Sequence, residues 1–279
     1  MVYFSVITVN KNNAPGLEKT IKSVINQTYK GTEFIIIDGK SVDASLEIIR
    51  QYEGKITIWV SEEDSGIYNA MNKGIKVARG KYCLFLNSGD YLYNNNILEE
   101  IVDLKCEEDI ITGDVIKFSD YHNRSEIFSR VTNSSITFFD LYNNTLNHQA
   151  TFIKRSLFDT FGLYEEKYEV ISDWVFMLKT IIINNVSFKY LHKTISYYNE
   201  DGISNGKSNY YTEERIPALN ELFPSRILLD YEVNFNKDFV IVYNRIKRYK
   251  LSSSILRSLN YLVLKYEAFF KQNKIRNEN

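Results

Sequence analysis

The 279-residue chain carries 34 Lys and Arg against 35 Asp and Glu and is 44% hydrophobic, a balance that suits one globular domain with an appendage. No run approaches the ~18 apolar residues of a membrane span, which excludes that class. The charge is uneven: residues 241–279 hold nine Lys or Arg against two Glu, leaving an acidic remainder that excludes a nucleic-acid partner.

Residues 2–9 (VYFSVITV) are β-branched and aromatic and predict a first strand. Residues 15–28 place Leu17, Ile21, Val24 and Ile25 at helical spacing, with Pro15 near the start, where proline is tolerated. EFIIID (33–38) is a continuous apolar run, as in a strand buried on both faces of a parallel sheet. A helix over 43–52, a strand KITIWV (55–60), a helix over 66–79 and a strand KYCLFLN (81–87) follow. Ile67, Met71, Ile75 and Ala78 share one face of that second helix. The alternation predicts a doubly wound α/β sheet.

Beyond residue 105 the pattern loosens. DIITGDVIKF (109–118), SEIFSRV (125–131), HQATFIK (148–154), SFKYLH (187–192) and TISYYN (194–199) read as strands. Residues 135–142 and SDWVFMLKTIII (172–183) read as helices, and NNNILEE only as a short polar segment. From about residue 208 the chain reads as helical. Cys83 and Cys106 stand far apart, the pattern of buried free thiols in a reducing compartment. The N-terminus lacks the basic region and cleavage site of a signal peptide, so a cytoplasmic location is expected.

The first four strands all end in polar residues: Asn10, then Asp38, then Glu62, Glu63 and Asp64, then Asn87 and Asp90. In open α/β sheets, ligands bind beyond the carboxyl ends of the strands. One such residue alone reads as a turn or cap, but four tips together predict a site. No GxGxxG follows the first strand, and no Gly-x-Ser-x-Gly elbow is present. GISNGKS (202–208) has three residues between its glycines where a phosphate-binding loop needs four. His122, His148 and His192 show no zinc spacing.

SVITVNKN (5–12), IIIDGKSVDAS (35–45), the long block from Ser61 to Leu92, HQATFIKRSLFDTFGLYEEKY (148–168) and ISDWVFMLK (171–179) carry a family resemblance. Over roughly residues 3–205 the chain resembles the family 2 glycosyltransferases, and is most similar to the WfgS/WcaE-like bacterial enzymes of surface polysaccharide assembly. The resemblance implies a GT-A (nucleotide-diphospho-sugar transferase) fold: a mostly parallel central sheet flanked by helices, followed by a C-terminal helical extension. It implies a catalytic domain over 1–207, with a nucleotide-binding half (1–105) and an acceptor-binding half (106–207), and a basic helical extension over 208–279. The implied activity is inverting transfer of a sugar from a nucleotide-diphosphate donor, a UDP-sugar, to a hydroxyl of a saccharide or polyprenyl-linked acceptor.

By this resemblance Asp38, with Thr8 and Asn10, contacts the donor's base or ribose; a buried carboxylate discriminates because a wrong partner leaves it unpaired. Asp43 matches a later family aspartate or caps the following helix. Asp64, Tyr68, Asn72 and Lys73 are further donor-side candidates, Lys73 either neutralising diphosphate or lying on a solvated helix face. More distant relatives carry Arg where this chain has Met71, so that contact is lost. Most members read Asp-x-Asp-Asp where this chain has Asn87-Ser88-Gly89-Asp90. Asn87 and Ser88 then face the donor, and Asp90 is the one retained charge for Mn²⁺ or Mg²⁺, an ion that takes its remaining ligands from water and substrate phosphates.

The resemblance makes Asp173 the catalytic base; such a group must be ionised and within hydrogen-bond reach of the acceptor hydroxyl. His148 and Gln149 are acceptor-side or loop-supporting, and Trp174 either stacks on a sugar or belongs to the core. Asp114 and Asp201 are weaker candidates near sugar and diphosphate. The basic tail 241–279 either lies on an anionic membrane surface or packs on its own domain or a second copy, and a homodimer stays open. The competing function is a non-catalytic sugar-nucleotide-binding subunit of an assembly complex.

Overall fold

The computed structural model describes residues 2–119, 124–129, 134–199 and 210–234. Two compact units divide the chain, Met1–Ala218 and Leu219–Asn279. The first contains a mixed sheet of nine strands among the described residues. The elements of its first half are β1 (Phe4–Asn10), α1 (Ala14–Ile25), β2 (Thr32–Asp38), α2 (Ser45–Gln51), β3 (Ile58–Ser61), α3 (Ile67–Val77) and β4 (Tyr82–Phe85). Then come β5 (Tyr91–Leu92), α4 (Ile97–Asp103), β6 (Ile110–Ser119), β7 (Arg124–Phe128), α5 (Phe138–Asn143), β8 (Thr151–Lys154), α6 (Arg155–Phe161), α7 (Ser172–Met177) and β9 (Phe188–Asn199). Helical turns over Tyr211–Arg215 lead into α8 (Ile216–Leu222), and α9 (Ser225–Asn234) lies in the second unit.

The order is β3-β2-β1-β4-β8-β6-β9-β5, with β7 paired to β6. β3, β2, β1 and β4 are parallel neighbours; β8 runs antiparallel to β4 and β6, while β6 and β9 are parallel. β1 is buried along its whole length, which requires cover on both faces. Phe4, Val6, Phe34, Ile36, Tyr82 and Leu84 join one core cluster with Leu17, Ile21 and Val24 of α1 and Ile49 of α2. On the other face Gly74 of α3 lies so close to Ile7 that a Cβ there would collide with it. Phe85 packs on Phe158 and Tyr164, extending that layer toward α6.

The pairing registers decide where the site can form. Asn10 lies beside Asp38, and Asp38 beside Ser61, so three polar residues end adjacent parallel strands at one level. The two strands expected over 187–199 are one strand, β9, bent by a bulge. Pairing with β6 jumps from Thr112–Tyr190 to Asp114–Thr194, and His192 sits at φ 48° within the jump. HQATFIK is strand only over its last four residues; His148–Ala150 form a 3-10 turn. The helix from Ser172 turns π-helical over Leu178–Ile183, where the Asn184 N–H reaches back to the Lys179 carbonyl. Among the described residues no helix is long and apolar enough to cross a membrane. The tail 241–279, Asp201, His122 and the glycines of 202–208 lie outside the described residues.

Candidate active site

The tips of β1, β2 and β3 hold a closed polar cluster. The Asp38 carboxylate is fully buried and accepts from Asn10 Nδ2 (2.7 Å), Ser41 Oγ (2.5 Å), the Ser41 N–H (3.0 Å) and Ser61 Oγ (2.7 Å). Burial raises its pKa, but the hydrogen bonds from Ser41, Ser61 and Asn10 outweigh that and leave it lowered. As folded, Asp38 organises the loop after β2 and has no acceptor position left over. The buried atom still without a partner here is Asn10 Oδ1. Thr8 is also fully buried and donates to the Leu86 carbonyl (2.7 Å), tying β1 to the chain beyond β4. Asp43 accepts from the Ala14 and Ser45 N–H groups, at the starts of both α1 and α2.

The α3 candidates divide. Asn72 exchanges hydrogen bonds with the backbone of Tyr164 and donates to Glu166, which also accepts from Asn69. These bonds lower the Glu166 pKa, Asn72 first. Asn72 therefore fastens α3 to the chain before α7. Lys73 pairs with Glu62 (2.8 Å) and donates to the Glu63 carbonyl. Asp64 accepts from the Gly66 N–H and lies 4.0 Å from the Lys11 ammonium. Tyr68 is buried, and its hydroxyl lies 2.8 Å from Asp173 Oδ1 and 2.7 Å from the Val170 carbonyl.

The turn 87–90 sits beside the end of β1, where the Ser88 N–H donates to the Val9 carbonyl. The Ser88 carbonyl accepts from Asn13 Nδ2. Gly89 has φ 106°, a conformation that L side chains rarely adopt, so a carboxylate at this position would be strained. The Asp90 carboxylate is buried and accepts from the Asn199 N–H (2.9 Å) and from Gln149. Burial pushes it up to about 6, against the opposing effects of His148, Asn199 and Gln149. Gln149 thus supports Asp90, and Ser196 Oγ donates to its carbonyl. Asn87 lines the adjacent cavity, and its buried Oδ1 has no partner.

That cavity, about 190 Å³, is lined by Tyr68, Met71, Asn87, His148, Asp173 and Arg215 among others. Asp173 is the second residue of α7, in its first turn. His148 stands between the two halves: Nε2 is 3.2 Å from Asn87 Nδ2, and Nδ1 is 3.6 Å from Asp173 Oδ2. A ring protonated on Nδ1 would accept from Asn87 at Nε2 and turn its proton toward the carboxylate. Trp174 is a wall residue: it is buried, donates Nε1–H to the Leu141 carbonyl, and is covered by the Arg215 guanidinium at 4.2 Å. Asp114 is outside the lining; Ser129 and Tyr190 donate to it.

Sequence reasoning missed the wall supplied by residues 210–215. Arg215 Nη2 donates to the carbonyls of Leu141, Tyr142 and Asn144. The Glu214 carboxylate accepts from the N–H groups of Glu169 and Val170, just before α7. These contacts join stretches far apart in sequence, and no spacing rule announces them.

A divalent cation finds two hard oxygen sources on one turn, the unpartnered Asn87 Oδ1 and the Asp90 carboxylate. Among the described residues no group of three or more His, Cys, Asp or Glu forms a cation site. Two oxygens suit an ion that takes its remaining ligands from water or a bound oxyanion.

A model of the glycosyl transferase family 2 domain matches residues 5–162. A PGL/p-HBAD biosynthesis glycosyltransferase of Mycobacterium bovis (strain BCG / Pasteur 1173P2) is 31% identical over 228 residues, covering 78% of this chain and 86% of the relative. The structure of S. aureus TarS 1-349 in complex with UDP-GlcNAc superposes with a TM-score of 0.60 at 20% identity, covering 71% of this chain and 58% of that one. A mannosyltransferase from Pyrobaculum calidifontis in complex with GDP-Man and Mn²⁺ gives 0.54 at 16% identity, covering 70% and 56%. The chain spans less than two thirds of these solved chains, and the likeness establishes a GT-A fold.

Proposed function

The chain belongs to glycosyl transferase family 2, and from that premise we propose that it moves a sugar from a UDP-sugar to a hydroxyl of a saccharide or lipid-linked saccharide, with inversion, in surface polysaccharide assembly. The observation that carries this reading is the Asp173 carboxylate, set in the cavity wall at the start of α7 and one residue, His148, away from the donor-side turn. In the proposed step Asp173 takes the proton from the acceptor hydroxyl. The acceptor oxygen then forms a bond to the sugar's anomeric carbon, and the bond from that carbon to the diphosphate oxygen breaks, its electron pair leaving with the diphosphate. One inversion follows from one displacement.

The donor's nucleotide is assigned to the tips of β1 and β2, where Asn10 Oδ1 is a buried oxygen awaiting a donor. Asp38 and Thr8 would hold these tips in shape, with Lys73, Asp64 and Ser88 as the further donor-side residues of this reading. Asn87 and Asp90 would hold Mn²⁺ or Mg²⁺ arriving with the diphosphate, and such an ion stabilises charge on the leaving group. The acceptor enters the cavity past His148 and the Trp174–Arg215 wall. A non-catalytic sugar-nucleotide-binding subunit is not favoured, because the Asp173 carboxylate and Asn87 of the 87–90 turn line one cavity. The WfgS/WcaE-like subtype and membrane contact through 241–279 belong to this proposal.

The test is UDP-, GDP- and dTDP-sugars with Mn²⁺, Mg²⁺ or EDTA, read as binding and as release of nucleoside diphosphate. Asp173→Asn should lower turnover by about 10²–10⁴ while donor affinity stays within about twofold. Turnover close to that of the unaltered protein would remove Asp173 from the role of base.

A further inference from the structure

The resemblance places Tyr68 on the donor, yet its hydroxyl is spent on Asp173 and on the backbone just before it. We propose that Tyr68 is a positioning residue for the base, holding Asp173 Oδ1 so that Oδ2 is the oxygen that takes the acceptor's proton. This rests on the reading of Asp173 as base.

Three observations support it. Tyr68 is only 5% exposed, so its hydroxyl must satisfy itself within the protein. The ring is wedged against Tyr164 at 5.5 Å, which leaves the hydroxyl little room to wander. Burial, then the Asp173 charge, raise the Tyr68 pKa well above its ordinary value, so the group stays a donor. A phenol has one proton, and two acceptors lie within 2.8 Å. While Asp173 is ionised, that proton belongs on Oδ1, the stronger acceptor. Once Oδ2 has taken the acceptor's proton, the carboxyl is neutral and the Tyr68 proton can turn to the Val170 carbonyl. Neither state leaves a buried donor unpaired.

Oδ2 is the oxygen that lies toward His148, another residue of the cavity wall. Its neighbour is His148 Nδ1 at 3.6 Å, beyond a good hydrogen bond, so it stays available to an incoming hydroxyl. Tyr68 also shares the Val170 segment with Glu214, whose carboxylate accepts from the Val170 N–H. Both backbone polar groups of Val170 are therefore fixed from opposite sides, by α3 and by the chain before α8.

The experiment is a double-mutant cycle of Tyr68→Phe and Asp173→Asn in the full chain. UDP affinity is read by calorimetry, and turnover as nucleoside diphosphate release from the donor that the sugar panel selects. Tyr68→Phe should lower kcat by about 10- to 100-fold, part of the ~10²–10⁴ attributable to a base, with the UDP Kd within about twofold. In the Asp173→Asn background the same change should lower the residual rate no further. A tenfold weaker UDP Kd with kcat unchanged would return Tyr68 to the donor site and overturn the inference. A further tenfold loss on top of Asp173→Asn would overturn it too. An active Asp173→Asn variant defeats the base reading, a result seen in a different arm from either of these. Should Tyr68→Phe fail to fold, 3-fluorotyrosine at position 68 keeps the shape with a more acidic hydroxyl; an unchanged kcat would then count against the proposal.

Discussion

Asp38→Asn separates an organiser of the β1–β2–β3 tips from a side chain that only touches ligand. The carboxylate receives four hydrogen bonds, two from rotatable serine hydroxyls, one from the Asn10 amide and one from the Ser41 backbone. An asparagine can retain most of them. If its NH₂ takes the place of Oδ1, Ser61 Oγ and the Ser41 N–H keep their oxygen, Ser41 Oγ can turn, and the Asn10 amide can present its unpartnered Oδ1 to the new donor. What is lost is charge assistance, about 1.5–3 kcal/mol for bonds of this type. Asp38→Ala is worse, because the Ser41 N–H is left buried and unpaired, at about 1–3 kcal/mol, and the Asn10 amide keeps only its longer bond to Ser41 Oγ (3.2 Å).

The pH dependence has a definite sign. Asp38 is held below its ordinary value, so its stabilisation is present above the unfolded carboxylate range, about 3.9, and is lost as pH falls through the lower folded value. The amide that replaces it in the variant has no such proton to exchange. In urea unfolding, the gap between the native chain and Asp38→Asn should be flat above about pH 5 and shrink below pH 4. A gap that is absent at neutral pH, or widens on acidification, would refute the reasoning. So would Asp38→Ala proving no more costly than Asp38→Asn.

Arg215→Lys should loosen the cavity wall, since an ammonium cannot reproduce a planar guanidinium that both caps three carbonyls and covers the Trp174 ring. Hydrogen exchange over residues 141–147 should accelerate at least several-fold while exchange in β1 and β2 is unchanged; identical exchange over 141–147 would contradict the clamp. Mn²⁺ should bind weakly to the protein alone and at least tenfold more tightly with UDP present, and Asp90→Asn should erase that coupling. Tight Mn²⁺ binding without nucleotide would mean that the turn is a resident cation site after all.

The first half of the fold was legible because its signals are local. EFIIID and VYFSVITV announce strands covered on both faces, and Leu17, Ile21 and Val24 announce the helix that covers one of them. Of the polar strand tips, Asn10 and Asp38 lie side by side, but the third member of their cluster is Ser61, where the sequence pointed to Glu62, Glu63 and Asp64. The second half was harder. A bulge in β9 reads as a break in a strand, because the positive φ of His192 leaves no mark in a histidine. α4 was hidden in NNNILEE, where Ile97, Leu98 and Ile101 are buried among polar neighbours. What each site residue touches was not legible at all. Tyr68 and Asn72 lie on the polar side of a visible helix, yet their partners, Asp173 and Tyr164, are about a hundred positions away. Spacing within a helix cannot reveal a partner contributed by another part of the chain.

If the nucleotide binds at these strand tips as proposed, the level alignment of Asn10, Asp38 and Ser61 ties its recognition to the completion of folding. Parallel neighbours cannot pair until the crossover between them has closed, and those contacts form late because their loop entropy must be met first. A slip of one residue in β1 or β2 would turn every side chain of that strand to the opposite face and dismantle the Asp38 cluster. A chain with a half-built sheet therefore offers the nucleotide nothing to hold. Binding would select the finished register alone, and by mass action a nucleotide at a hundred times its Kd would add about 2.7 kcal/mol to that state. Abundance of the folded protein in a cell would then rise and fall with the supply of its own donor.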